Sequence, residues 1–212
     1  MKVLLVNGSP NRNGCTNRAL EEIKKTLEEE GIAAEIFWIG KKPIGGCISC
    51  GKCAELKKCV FDDTVNEFMS LAAESDGFVF GSPVYYASSN GSLSAFMDRA
   101  FFSNMNAGGK GAFYLKPAAA VASARRAGTI TTLDQINKYF SISQMPVISS
   151  SYWNEVHGAN AEDVEKDEEG LYTMRVLARN MAWFLKIKQA AADAGIPLPT
   201  REKGHPFTNF IR

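Results

Sequence analysis

The chain has 212 residues, enough to bury one sizeable core, and no shift in composition divides it. Its 24 Lys and Arg stand against 23 Asp and Glu, a balance that exerts no strong electrostatic pull toward nucleic acid or an anionic membrane surface. No apolar run approaches the roughly 18 to 20 residues that span a bilayer and no leader-like layout precedes the first apolar run, so the expectation is one cytoplasmic domain over 1–212.

In chain order, Lys2 to Val6 is a short leucine and β-branched run that ends in Asn7-Gly8-Ser9-Pro10, the pattern of a buried strand followed by a turn. Thr16 then predicts the cap of a helix whose Leu20, Ile23 and Leu27 share one face, with Gly31 as its stop. Ala33 to Ile39 predicts a second strand. Lys41 to Cys59, which follows, is Gly-, Pro- and Cys-punctuated and has no period, so it predicts a loop, Cys-rich over 44–62.

Asp62 or Asp63 predicts the cap of a helix running to about Glu74, and Gly77 to Ser82 a third strand. Pro83 to Asn90 is a loop ahead of a helix carrying Leu93, Phe96 and Met97. Pro117 to Ala124 predicts a fourth strand, Thr131 to Phe140 a helix and Met145 to Tyr152 a fifth strand. A last helix is expected from Glu168 to about Ala194, followed by a tail at 196–212 in which Phe207, Phe210 and Ile211 follow no regular period. Strands alternating with helices at this spacing predict a doubly wound, three-layer α/β/α fold with a five-stranded parallel sheet of flavodoxin-like order 2-1-3-4-5.

In such a sheet a ligand sits beyond the carboxyl ends of the strands, at the switch in strand order. The loop after the first strand offers Ser9, Asn11, Asn13, Cys15, Thr16 and Asn17 ahead of a helix amino terminus, where hydroxyls, amides and free N–H groups favour an anion. It lacks both the Gly-Lys-Ser/Thr of a P-loop and the Gly-x-Gly-x-x-Gly of a dinucleotide turn, so a monophosphate fits it best; the plain alternative is a polar turn. The loop after the third strand sets Pro83, Val84, Tyr85 and Tyr86 where aromatic rings can wall a planar heterocycle or plug the core. The loop after the fourth brings Ser123, Arg125 and Gly128 to the same edge, where a cation would stabilise an anionic reduced ring.

These residues carry a family resemblance. Gly8-Ser9-Pro10 with Asn13, Thr16 and Asn17, then Gly81-Ser82-Pro83-Val84-Tyr85-Tyr86, then Ser94-Ala95-Phe96-Met97-Asp98-Arg99, resemble the NAD(P)H-dependent FMN reductase-like branch of the flavodoxin superfamily over about residues 1–150. The resemblance implies FMN, its phosphate on the first loop and its isoalloxazine against the second and third. Two positions depart from the pattern: Ser94 stands where Lys is usual, and Cys15 where a small polar residue is common.

Cys47-x2-Cys50-x2-Cys53-x5-Cys59 puts four thiols within thirteen positions of the loop. In a reducing compartment such crowding points to metal, cluster or thiol chemistry rather than to structural disulfides. Soft thiolates select zinc or iron–sulfur clusters, and the three-in-seven run is closer to ferredoxin ligation than to a two-pair zinc pattern. The motif is similar to that of iron–sulfur flavoproteins, where it implies a [4Fe–4S] cluster; reduced structural thiols and zinc remain alternatives. His157 and His205 lie near no motif, and Trp38, Trp153 and Trp183 read as core or interface aromatics.

The leading expectation is an FMN-dependent oxidoreductase. It would pass electrons from NAD(P)H or another donor to a small acceptor such as a quinone, a nitro or azo compound or free flavin, with no catalytic side chain because FMN carries the chemistry. The alternative is an electron carrier with a [4Fe–4S] cluster on Cys47, Cys50, Cys53 and Cys59, working with a redox protein. A flavodoxin-like protein without cofactor is a third reading, against which the intact polar first loop argues. An open site and an aromatic tail predict a homodimer or homotetramer.

Overall fold

A computed structural model describes residues 1–108, 111–199 and 208. Strands β1 (Lys2–Asn7), β2 (Ala33–Trp38), β3 (Gly77–Tyr85), β5 (Ala118–Ala124) and β6 (Glu155–His157) form a parallel sheet in the order β2-β1-β3-β5-β6, and the two-residue β4 (Ser88–Ser89) folds back antiparallel on β3. With β4 set aside, this is the flavodoxin-like order the sequence predicts. The helices are α1 (Cys15–Glu29), α2 (Cys53–Leu56), α3 (Thr64–Ala73), α4 (Gly91–Asn106), α5 (Thr129–Ile142), α6 (Ala161–Val164) and α7 (Glu168–Asp193). None of the helices among the described residues is long and apolar enough to cross a membrane.

Period-two alternation sorts the core into two layers. Leu4, Val6, Phe78, Phe80, Ala118, Ala120 and Ala122 face α3, α4 and α5, where Phe68, Phe96 and Phe140 complete an aromatic cluster. Val3, Leu5, Val79, Ala119 and Val121 face α1 and α7, against Leu20, Ile23, Leu177 and Met181. Each fully buried Phe or Leu contributes roughly 1.5 to 3 kcal/mol, so sequestering both sheet faces fixes which ends of the strands stay open.

The fifth strand is not where the sequence puts it. Of Met145 to Tyr152 only Val147 bridges the sheet, at Ala118, and pairing resumes at Glu155–His157. The reason lies in local side-chain bonds: Ser150 Oγ contacts Tyr152 O and Asn154 Oδ1 at 2.7 Å each, and Asn154 Nδ2 donates to Ala120 O at 3.0 Å. Such bonds offer the backbone an alternative to the ladder. Thr16 likewise is no cap: Gly14 holds that position without a side-chain bond. The caps at Asp63, whose carboxylate accepts from Val65 N, and at Asn90, whose amide oxygen accepts from Ser92 N and Leu93 N, follow the usual rule. The tail residues Phe207, Phe210 and Ile211, and His205, lie outside the described residues.

Candidate functional site

Parallel register aligns the strand ends. Asn7 of β1 stands beside Gly81 of β3, and Pro83 beside Ser123 of β5, so the three loops leave the sheet side by side. They enclose a concavity of about 650 Å³, within the usual range of ligand sites. Ser9, Asn11, Asn13, Cys15 and Thr16 line it from the first loop, Pro83, Val84 and Tyr85 from the second, and Ser123 and Arg125 from the third. Ten of the thirteen residues that the sequence assigns to the cofactor are therefore together in one cavity.

The first loop is held in shape by buried polar bonds. Asn7 Oδ1 accepts from Ser9 N at 3.0 Å and Asn7 Nδ2 donates to Arg12 O at 3.1 Å, while Ser9 Oγ accepts from Asn11 N at 3.1 Å. Gly8 N donates to Gly81 O at 2.9 Å, and a Cβ on Gly8 would come within 2.8 Å of that same oxygen, so only glycine permits the approach. The chain then enters α1 with no side-chain cap and no acidic residue in the first turn. Unsatisfied N–H groups and the positive end of a 15-residue helix thus face the cavity, a donor set that fits a phosphate.

Three of the assigned residues sit elsewhere. Asn17 is buried and committed to its own helix and strand, accepting from Asn7 Nδ2 at 3.2 Å and donating to Glu21 at 2.7 Å. Tyr86, at φ +52°, is fully exposed and touches nothing in the cavity. Gly128, at φ +93°, supports the second loop from behind: a Cβ there would meet Ala87 Cα at 2.7 Å. Thr16, Ser123 and Cys15 do line the cavity, but each already has a partner for its hydroxyl or thiol. Thr16 Oγ1 and Ser123 Oγ are 2.8 Å apart, and Cys15 Sγ donates to Gly158 O at 3.4 Å. Burial pushes the Cys15 thiol up, with Asp163 and Glu162 adding to the effect.

The cavity also has walls that the sequence reading missed. Arg12 and Lys41 add cations, and Gly158 to Glu162 form a fourth side. Arg12 stacks 5.5 Å over Trp38, whose Nε1 donates to Ser9 O at 2.7 Å, so this tryptophan belongs to the base of the phosphate loop. Arg12 was legible from its place within that loop. The segment Gly158 to Glu162 was hidden by the misplaced fifth strand.

A second, smaller hollow lies over α4. Cys47, Cys50, Cys53 and Cys59 all line it, with Phe61, Arg99 and Phe102. Cys47 and Cys50 are exposed, Cys53 is buried and Cys59 half-buried. Among the described residues no three His, Cys, Asp or Glu side chains are gathered as a ready metal site, so the four thiols share one hollow without closing on a centre. Four soft donors around an apolar hollow are nonetheless a chemical fit to an iron–sulfur cluster.

The chain matches the NADPH-dependent FMN reductase family over residues 1–160. It belongs to that family. An iron–sulfur flavoprotein of Methanocaldococcus jannaschii is 32% identical over 198 residues, which cover 88% of this chain and 98% of that protein. A second iron–sulfur flavoprotein of the same organism is 30% identical over 201 residues, covering 89% and 99%. Among solved structures, a flavodoxin from the domain Archaea superposes with a TM-score of 0.59 at 17% identity over 88% of this chain and 99% of that one, a likeness of fold. The family is one of flavin-dependent oxidoreductases. The concavity at the sheet's carboxyl edge is the cavity whose lining suits that cofactor.

Proposed function

We propose that the protein is an electron carrier that holds FMN in the concavity and a [4Fe–4S] cluster on Cys47, Cys50, Cys53 and Cys59. The observation that carries this reading is that all four loop thiols line one hollow. Two relatives named as iron–sulfur flavoproteins, matched over nearly their whole length, support it. When bound, the flavin would supply one- and two-electron chemistry and the cluster one-electron transfer.

The chain's own part is binding and orientation. Ser9, Asn11, Asn13 and the first-turn N–H groups of α1 take the phosphate; Thr16 and Cys15 shape the loop through their partners. Pro83, Val84 and Tyr85 wall the ring, and Arg125 holds positive charge at the edge where reduction leaves negative charge. NAD(P)H or another donor would load the flavin, and a small acceptor or a redox protein would unload the carrier. A homodimer or homotetramer is the assembly that would cover the open site.

A second reading is favoured by the family match and by the exposure of Cys47 and Cys50: a flavin-only reductase that passes electrons from NAD(P)H to a quinone, a nitro or azo compound or free flavin. Protein made and purified without oxygen separates the two. About four iron and four acid-labile sulfide per chain alongside FMN is the expected result. Full FMN with neither iron nor sulfide would sink the carrier reading and leave the reductase.

A further inference from the structure

Arg99 is the largest fully buried side chain among the described residues, and its side chain is 1% exposed. A buried guanidinium presents five N–H donors in a fixed planar fork, each costly if unmet. Here all of them are met, by the Cys-rich loop and by Asp63 just beyond it. Nη1 donates to Asp63 Oδ2 at 2.7 Å and Gly45 O at 3.4 Å; Nη2 donates to Asp63 Oδ1 at 2.9 Å and Phe61 O at 3.4 Å; and Nε donates to Cys59 Sγ at 3.3 Å. The Phe61 ring lies 4.8 Å under the guanidinium carbon.

These bonds join both ends of the loop to the middle of α4, since Gly45 precedes the first cysteine and Cys59 is the last. Asn66 reinforces the later end, accepting from Cys59 N and donating to Cys59 O, each at 3.0 Å. Of the four loop thiols, Cys59 is the one with a charged hydrogen-bond donor on its sulfur. The bidentate pair with Asp63 fixes that donor's aim, because the carboxylate holds the fork in its plane.

We propose that Arg99 is a positioning residue for the cysteine site: it clamps the loop around the hollow and, through the Nε–H bond to Cys59 Sγ, raises the reduction potential of the cluster. This rests on the electron-carrier reading. A hydrogen bond and a positive charge at a ligating sulfur stabilise the more negative, reduced form. Asp63 has the opposite influence, since it neutralises part of that charge while holding it in place.

The test uses full-length protein prepared without oxygen, assayed for iron, sulfide and FMN, with the cluster potential read by spectroscopically monitored titration. Arg99→Gln removes the charge and should lower the potential. Asp63→Asn keeps the guanidinium but removes its counter-charge and should raise it. Shifts of opposite sign at equal cluster content are the expected result, and a general structural support would not produce them.

Both variants loaded and titrating at the wild-type potential, or moving the same way, would overturn the inference and leave the carrier reading standing. If Arg99→Gln alone fails to load, Asp63→Asn decides, a raised potential supporting the inference and any other overturning it. Loss of the cluster from both variants with FMN retained supports the clamp; loss of FMN as well makes the pair a general support and overturns it. Wild type holding FMN but no iron or sulfide overturns the carrier reading, and this inference with it.

Discussion

Thr16 Oγ1 lies 2.8 Å from Ser123 Oγ, and both residues are buried, so one hydroxyl pair ties the first turn of α1 to the end of β5. The bond joins two of the loops that enclose the concavity. Thr16→Val keeps the shape but strands the Ser123 hydroxyl, which costs about 1 to 3 kcal/mol. Urea unfolding of the protein without cofactor should register that loss, and Ser123→Ala in the same chain should recover part of it. Additive losses in the double variant would mean that the pair does not couple.

Gly128→Ala should damage the cavity without touching it. The residue sits at φ +93°, and an added Cβ would strike Ala87 Cα at 2.7 Å and Val84 Cγ1 at 2.8 Å. Strain of this kind costs roughly 1 to 3 kcal/mol. The second loop must move, so FMN affinity should fall several-fold, which titration of the flavin fluorescence would measure. Gly46→Ala, where an added Cβ meets nothing within 4 Å, is the matched control.

Tyr85 and Tyr86 should behave differently although they are neighbours. Tyr85 lines the concavity and is 46% exposed, whereas Tyr86 is 104% exposed and rests on no other residue. Tyr85→Ala should weaken FMN binding by the worth of an aromatic contact, about 0.5 to 1.5 kcal/mol. Tyr86→Ala should leave the stability of the cofactor-free protein within about 0.5 kcal/mol. A large unfolding shift for Tyr86→Ala would show that its ring packs on the chain after all.

Glu22 should make the contact between α1 and α7 acid-sensitive. Burial pushes its carboxyl up, but Arg175 at 2.6 Å and Arg18 at 2.9 Å outweigh that, and it titrates below the ordinary value of 4.5. A lowered folded value means that the stabilisation is complete above the unfolded value and is lost as pH falls through the folded one. Glu22→Gln should therefore cost roughly 1.5 to 3 kcal/mol at pH 7, the worth of a hydrogen bond to a charged group. The gap between variant and wild type should narrow as the pH is taken from 7 to well below the ordinary carboxylate value of 4.5. Urea midpoints at the two pH values check it; a gap independent of pH would remove the ion pair from the account.

What the sequence discloses follows how strongly a segment's burial marks it. Ala118 to Ala124 is buried at every position, and the run of small apolar residues says so. Glu155 to His157 buries only Val156, and three residues with one buried side chain carry no period to read. The cavity lining was legible where it follows directly from strand ends, as for Ser9, Pro83 and Ser123. It was illegible at Gly158 to Glu162, which comes from a strand recognisable only through its neighbours. Asn17 and Thr16 show the remaining limit: a polar residue beside a ligand loop can turn its bonds inward, to Asn7 and Ser123, and residue type alone does not say which.

The bond from Cys15 Sγ to Gly158 O bears on how the other four thiols can be counted. Thiolate is the form that alkylating reagents attack, and burial together with Asp163 and Glu162 keeps Cys15 in the thiol form. At neutral pH the protein without a cluster should therefore add reagent first at the exposed Cys47 and Cys50, and more slowly at the half-buried Cys15. Intact mass after timed labelling thus carries its own internal clock: the adducts that precede the one on Cys15 report on the loop, and the delay before Cys15 reports on the bond that ties the phosphate loop to Gly158.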